Sequence, residues 1–149
     1  MKTMAIGALA CWALLQASAG ELTWLTDLAK AQAKAKSENK LVLMDFTGSD
    51  WCPWCIKLNK EVFSTTEFQE YAGKNLVAVE VDFPRTKAQT AELKKANKEL
   101  QEKYKIEGYP TVIVLNSDGK KIGELGYQPG GPKPFIAELE KLKEKQKAT

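Results

Sequence analysis

Residues 41–58 read LVLMDFTGSDWCPWCIKL, and this stretch decides the fold. Its first six residues are mostly apolar and have the length of a strand, and such continuous apolarity indicates a central strand buried on both faces. Residues 48–51 form a loop. Pro53 then stands where a helix begins, because proline suits the first helical position. The stretch therefore predicts a strand, a short loop and a helix that starts beside two cysteines.

The pattern on either side of this stretch predicts one mixed α/β domain. A βαβ unit with parallel strands is followed by an antiparallel ββα unit, and both fit a mixed central sheet flanked by helices, with an extra N-terminal helix. The remaining predicted elements are a helix within 21–40, a helix within 64–73 capped by Thr65 or Thr66, a strand at 76–82, a helix at 84–104, strands at 111–115 and 121–125 joined by a turn at 116–119, and a C-terminal helix carrying Phe135, Ile136, Leu139 and Leu142 on one face.

Residues 1–19, MKTMAIGALACWALLQASA, have the pattern of a signal peptide. One lysine precedes an apolar run, and Ala17-Ser18-Ala19 offers a cleavage site. The run is shorter than the roughly 20 residues of a membrane span. We therefore expect a mature domain at 20–149 that is periplasmic or secreted. A buried N-terminal helix and a lipoprotein acylated at Cys11 are the alternatives.

The composition excludes several kinds of site. The 149 residues include three cysteines and no histidine, so histidine-based triads, histidine-ligated zinc and c-type haem attachment each lack a required residue. The net charge of +3, from 22 basic and 19 acidic residues, is too balanced to indicate nucleic-acid binding. We expect no cofactor, no metal and no nucleic-acid partner.

Cys52 and Cys55 frame the dipeptide Pro53-Trp54 at the start of the predicted helix. The thiolate is the form of cysteine that attacks a disulfide. Free N–H groups and the helix dipole stabilise negative charge there, so we expect the pKa of the Cys52 thiol to lie below its usual value of about 8.5. Cys55 lies one turn deeper on the same side, where it can attack a mixed disulfide on Cys52. The pattern indicates an attacking and a resolving cysteine.

Three other interpretations of the pair stay open at this point. A zinc half-site would need ligands from another chain, because the expected mature chain has no third cysteine and no histidine. A haem attachment site would need histidine where Ile56 stands. A purely structural disulfide across so short a loop would be strained and would stabilise the fold poorly.

The chain resembles the thioredoxin-like superfamily, in particular exported bacterial thioredoxin-like proteins with a W-C-x-W-C site. Four stretches carry the resemblance across residues 24–142: the segment 41–58, EVDF at 80–83, GYPTVIVLNSDGKKIGELGY at 108–127, and the closing helix. The resemblance implies a thioredoxin-like fold for residues 20–149 and a protein-disulfide oxidoreductase activity.

The resemblance also implies roles for individual residues. Cys52 and Cys55 match the redox disulfide, and Asp45 resembles the buried carboxylate, with a raised pKa, that relays a proton to and from the resolving cysteine. A capping or loop-anchoring role would also explain Asp45. The chain departs from the family in two places: the segment from Asp45 to Cys52 is one residue longer than in a typical thioredoxin, and Lys57 is displaced by one position from a thioredoxin lysine. The residues implied to contact substrate are Trp51, Pro53, Trp54, Tyr109 and Pro110, the last as a cis-proline.

Residue types and lengths favour a reductase. Trp54 carries no charge where Dsb oxidases have histidine, and Asp50 opposes formation of the Cys52 thiolate. Thirty-two residues lie between the expected cleavage site and Cys52, too few for the dimerisation domain of disulfide isomerases, so we expect a monomer. Pro110 follows Cys55 by 55 positions, too close for the inserted helical domain of the oxidases.

The leading hypothesis is therefore a thiol–disulfide oxidoreductase that exchanges thiols and disulfides with cysteines of exported proteins. A reductase outside the cytoplasm implies a membrane electron donor. Two other classes stay open. One is a thioredoxin-fold binding or chaperone module, with the loop 129–132 and the lysine-rich C-terminal helix as partner surfaces. The other is a glutathione-dependent enzyme.

Overall fold

A five-stranded mixed sheet organises residues 21–147, the part of the chain that the computed structural model describes. The predicted leader, residues 1–19, lies outside this range. Along the sheet the strand order is β1-β3-β2-β4-β5. The first three neighbours are parallel, and β4 runs antiparallel to both β2 and β5. The strands are β1 (Trp24–Leu25), β2 (Leu41–Thr47), β3 (Leu76–Asp82), β4 (Thr111–Leu115) and β5 (Lys121–Leu125).

Helices cover the two faces of this sheet, which confirms the predicted mixed α/β architecture. Several of them begin where a side chain accepts the free N–H groups of the first turn: Asp27, Thr65 and Thr90 are N-caps of this kind. The helices are α1 (Leu28–Glu38), α2 (Pro53–Leu58), α3 (Thr66–Asn75), α4 (Ala91–Lys103) and α5 (Pro132–Lys147), and a π-helical turn (Asn59–Phe63) continues α2.

Two predicted helices are shorter than their sequence patterns indicate. The helix expected within 21–40 begins at Leu28, because Trp24 and Leu25 pair with β3 as a short edge strand instead. The helix expected at 84–104 begins at Ala91, and residues 83–90 form a loop. Pro84 lies near the start of this loop, and three backbone N–H groups within it donate to the Asp50 carboxylate rather than to the backbone carbonyls of a helical turn.

Strand β2 separates two hydrophobic cores, as its apolarity predicts. Leu41 and Leu43 face the core formed with α2, α3 and α5, whereas Val42, Met44 and Phe46 face the core formed with α1. Successive side chains in a strand point to opposite faces. The alternation therefore places Asp45 on the same face as Leu43, which is the face covered by α2.

No helix within residues 21–147 has both the length and the apolar character required to span a lipid bilayer.

Candidate active site

Cys52 and Cys55 form a disulfide at the beginning of α2. Cys52 is the N-cap residue of this helix, and its sulfur accepts the backbone N–H of Cys55 at 3.3 Å. The N–H of Gly48 lies 3.5 Å from the Cys55 sulfur, so the loop before the pair also points a donor at it. Each cysteine is 4% exposed. The N–H groups thus stand where negative charge would develop on either sulfur after reduction.

The peptide bond between Tyr109 and Pro110 is cis and faces the cysteines. The carbonyl oxygen of Tyr109 lies 3.7 Å from the Cys52 sulfur. The ring of Tyr109 stacks on Phe83 with 5.2 Å between centroids, and its hydroxyl accepts a hydrogen bond from Gln101 at 2.7 Å. The Tyr109 side chain is therefore held away from the sulfur, and the backbone remains beside it.

Asp45 lies beneath α2 and is 8% exposed. Its Oδ1 atom has no hydrogen-bond partner among the described residues. Burial is the main cause that raises the pKa of Asp45 to about 8, and the neighbouring carboxylates Glu80 and Asp82 add to the shift. A cavity of about 410 Å³ reaches both Asp45 and Cys55. A neutral acid at pH 7 and the inner cysteine therefore share one cavity.

Glu80 is the residue opposite Asp45 on the neighbouring parallel strand, because the two are Cα partners in the register of β2 and β3. Glu80 lines the same cavity. Its own pKa is raised, first by burial and then by the charge of Asp82, while Lys87 acts in the other direction. The Asp82 carboxylate forms an ion pair with Lys87 at 3.4 Å.

The loop before Cys52 is tied to the loop after β3. Ser49 donates to the Asp82 carboxylate through its N–H at 3.0 Å and its hydroxyl at 2.5 Å. The Trp51 indole N–H donates to the Phe83 carbonyl at 2.8 Å. Gly48 lies under the Trp51 ring, and a Cβ at this glycine would collide with the indole. These contacts fix Trp51 immediately before the cysteine.

Asp50 makes the densest set of contacts in this loop. Its carboxylate accepts the backbone N–H groups of Arg85, Thr86 and Lys87 and the Thr86 hydroxyl, at distances of 2.6 to 2.9 Å. The Thr86 hydroxyl and the Arg85 N–H hold the pKa of Asp50 well below its ordinary value. The carboxylate oxygens of Asp50 therefore face the 85–87 backbone, and the group is ionised at neutral pH.

Aromatic side chains and two cations surround the rim of the site. Trp54 is 54% exposed and Ile56 is 49% exposed, which is unusual for large apolar side chains. The Lys57 ammonium lies 5.2 Å from the Trp54 ring and 5.2 Å from the Tyr127 ring. The Arg85 guanidinium lies 3.8 Å from the Trp51 ring. Cys52 therefore stands between two indoles, each with a cation beside it.

The structure brings the predicted site residues to one end of the sheet. Asp45 shares a cavity with Cys55, the carbonyl before the cis bond lies beside Cys52, and Trp51 and Trp54 stand on either side of Cys52 in the chain. Sequence reasoning missed Arg85, Tyr127, Glu80 and Asp82. The two acidic residues could have been found from the strand pattern, since Glu80 and Asp82 are two positions apart and so share one face of a strand expected beside β2. Arg85 and Tyr127 carried no such signal, because the position of each depends on the conformation of a loop.

Residues 21–147 contain no cluster of three or more histidine, cysteine, aspartate or glutamate side chains able to hold a metal ion.

Comparison with known proteins gives two kinds of relative. The disulfide bond reductase DsbH of Chlamydia pneumoniae is 36% identical over 122 residues, which cover 82% of this chain and 73% of DsbH. The thiol:disulfide interchange protein DsbD of Pasteurella multocida is 29% identical over 115 residues, which cover 75% of this chain and 18% of DsbD. The chain thus matches most of the first protein and a small part of the second.

Solved structures agree with these relatives. A DsbH oxidoreductase has a TM-score of 0.78 at 35% identity, over 83% of this chain and 85% of that one. The disulphide isomerase of Xylella fastidiosa Temecula1 has a TM-score of 0.60 at 26% identity, over 76% and 88% of the two chains. The family model described as a thioredoxin-like domain matches residues 28–143. With this fold and a disulfide at the start of α2, the chain belongs to the thioredoxin-like domain family.

Proposed function

We propose that this protein is a thiol–disulfide oxidoreductase that reduces disulfides in exported proteins. The observation that carries the proposal is the Cys52–Cys55 disulfide at the start of α2, with the Cys52 sulfur 3.7 Å from the backbone before Pro110. A Cys52 sulfur beside the backbone before the cis-proline, and a Cys55 sulfur that shares a cavity with a buried acid, suit a two-step exchange.

The reaction begins from the dithiol form. The Cys52 thiolate attacks one sulfur of a substrate disulfide, and the other substrate sulfur leaves as a thiolate and takes a proton. Cys55 then loses its proton and attacks the Cys52 sulfur, which releases the second substrate thiolate to be protonated. The substrate gains two electrons and two protons, and the protein is left with the Cys52–Cys55 disulfide.

We assign to Asp45 the removal of the Cys55 proton in the second step. A carboxyl group with a pKa of about 8 can both take and return a proton near neutral pH. The shared cavity gives that proton a route to solvent. Trp51, Pro53, Trp54 and the Tyr109–Pro110 backbone form the surface that a substrate meets around Cys52.

The reducing direction, the compartment and the electron source are parts of the same proposal. DsbH, to which the chain is similar over most of both lengths, carries the name disulfide bond reductase. The apolar pattern of residues 1–19 supports export. An exported monomeric reductase must be returned to its dithiol form by a donor dithiol, and we assign that donor to the membrane.

An insulin-reduction assay with dithiothreitol as the electron source tests the activity. We expect turnover with the natural chain, loss of turnover in Cys52→Ser, and a trapped mixed disulfide in Cys55→Ser. Full biological function in Cys52→Ser would instead identify a binding or chaperone module. A reduction potential of about −270 mV for the Cys52–Cys55 couple would support the reductase, and one of about −120 mV would contradict it.

A further inference from the structure

Two cations flank the attacking cysteine, and each is placed by an indole. The Arg85 guanidinium lies 3.8 Å from the Trp51 ring centroid, and the Lys57 ammonium lies 5.2 Å from that of Trp54. The two tryptophans stand on either side of Cys52 in the chain. Both cations are exposed. A positive charge therefore lies beside each of the two tryptophans that bracket Cys52 in the chain.

Both the backbone and the side chain of Arg85 have contacts with the loop before Cys52. Its backbone N–H donates to Asp50 at 2.9 Å, and Asp50 immediately precedes the Trp51 on which the guanidinium stacks. Within residues 21–147, no carboxylate forms an ion pair with Arg85. The exposed guanidinium therefore keeps its N–H fork available, and such a fork suits bidentate contact with a carboxylate.

The neighbouring carboxylates already have partners. Asp50 is occupied by the 85–87 backbone, and Asp82 by Ser49 and Lys87. Glu61 lies 3.9 Å from Lys57 and also accepts the Tyr127 hydroxyl at 2.7 Å, so Lys57 is partly neutralised. Of the two cations, Arg85 is therefore the one without a carboxylate partner within residues 21–147, and Lys57 is the one with a partner.

We propose that Arg85, assisted by Lys57, makes this site select protein cystines that have acidic side chains beside them. The inference rests on the proposed function and names its substrate class. The docked partner is the oxidised segment itself, in which a carboxylate next to the cystine reaches Arg85 while its sulfur reaches Cys52. The exposed Trp54 supplies an apolar contact to the same segment.

The expected preference is moderate because the cations are exposed. Single exposed ion pairs correspond to roughly two- to fivefold effects on an equilibrium or rate. Two contacts together give about tenfold in favour of an acidic over a basic cystine. Salt weakens such contacts, since the Debye length falls to about 3 Å at 1 M ionic strength.

The test uses the full chain, reduced and then freed of reductant, and two cystine-bridged peptides that differ in one feature. One peptide has glutamate on both sides of each cysteine, and the other has lysine. Acid quenching and chromatography give the rate at which each peptide is reduced in a single turnover, with no electron donor present. Each rate is divided by the rate of the same peptide with dithiothreitol, which removes differences in intrinsic reactivity.

We expect a normalised glutamate-to-lysine ratio of about ten at low salt and near one in 1 M salt. Arg85→Gln should lower the ratio about threefold, and Lys57→Gln should lower it by less. Arg85→Lys should keep most of the preference, because it keeps the charge. Lys95→Gln, an exposed lysine on α4, is the matched control and should leave the ratio unchanged.

Equal normalised rates for the two peptides, or a ratio that Arg85→Gln leaves unchanged, would overturn the inference while leaving the reductase intact. Failure to reduce either peptide would instead overturn the proposed function. Because the readout is a ratio, a variant that merely alters the reactivity of the Cys52 thiol affects both peptides alike and is not mistaken for lost selectivity.

Discussion

Asp45 is a buried acid whose protonation links the stability of the fold to pH. The native state keeps its proton up to about pH 8, whereas the unfolded chain loses it near the ordinary value of 3.8. Between these values the unfolded state binds fewer protons, so the free energy of unfolding falls as pH rises. Asp45→Asn removes this loss. We therefore expect the change that this substitution makes to the free energy of unfolding to be more stabilising at pH 7 than at pH 4, by on the order of 3 kcal/mol.

Urea unfolding of the oxidised natural chain and of Asp45→Asn, at pH 4 and pH 7, measures this effect. The comparison between the two pH values cancels the constant cost of burying an amide at this position. A stability difference that is the same at both pH values would contradict a raised pKa at Asp45.

Glu80 acts on Asp45 through its charge. The two residues are paired across parallel strands, and the charge of Glu80 disfavours ionisation of its neighbour. We expect Glu80→Gln to lower the pKa of Asp45 from about 8, as followed by the carboxyl carbon resonance of Asp45 across a pH titration. Glu99→Gln, at an exposed position on α4, should leave this pKa unchanged. An unchanged or higher Asp45 pKa in Glu80→Gln would show that the charge of Glu80 does not contribute to the shift.

At the scale of elements, the loop before α2 and the loop after β3 behave as one unit joined by Asp50. Because the pKa of Asp50 is lowered in the fold, its contribution is present above the ordinary value of 3.8 and is lost as pH falls. We expect Asp50→Ala to speed amide hydrogen exchange at Arg85, Thr86 and Lys87 about tenfold, since each amide loses its acceptor.

Mass spectrometry or NMR of amide exchange at pH 7 reads these positions directly. Asp118→Ala, in the turn between β4 and β5, is the control, because its side chain accepts none of these amides and exchange at 85–87 should not respond. Unchanged exchange in Asp50→Ala would mean that the loop is held by its other contacts, chiefly those of Asp82.

Elements that local sequence patterns determine were predicted, and elements that depend on distant contacts were not. The strand β2, the helix start at Pro53 and the turn after β4 were predictable, because local patterns of apolar residues, proline and glycine determine them. The edge strand β1 was not, since two residues carry no period and gain their structure from pairing with β3. The loop at 83–90 falls largely within the stretch predicted as helix, but its contacts with Asp50 and Asp82 are not visible in the local pattern, and α4 begins only after the Thr90 cap.

For the whole molecule, the sheet links the chemistry at one end to two separate cores. Leu43 and Asp45 share the face covered by α2, and Met44 and Phe46 anchor the opposite face on α1. Elements hold side chains more rigidly than loops do, so Asp45, on a strand buried on both faces, is held more firmly than Trp51, Arg85 and the Tyr109–Pro110 bond, which lie on loops.

Because the disulfide is part of the fold, its reduction potential is linked to the difference in folding stability between the oxidised and the reduced protein. By thermodynamic linkage, a pair that is a good reductant lies in a fold that favours its disulfide, and a strongly oxidising pair lies in a fold that favours its dithiol, with about 1.4 kcal/mol for every 30 mV. The proposed reductase should therefore unfold at a higher urea concentration when oxidised than when reduced with excess dithiothreitol. The Cys52→Ser, Cys55→Ser double variant should not respond to the reductant, which isolates the disulfide as the cause. A reduced form more stable than the oxidised one would reverse the proposed direction.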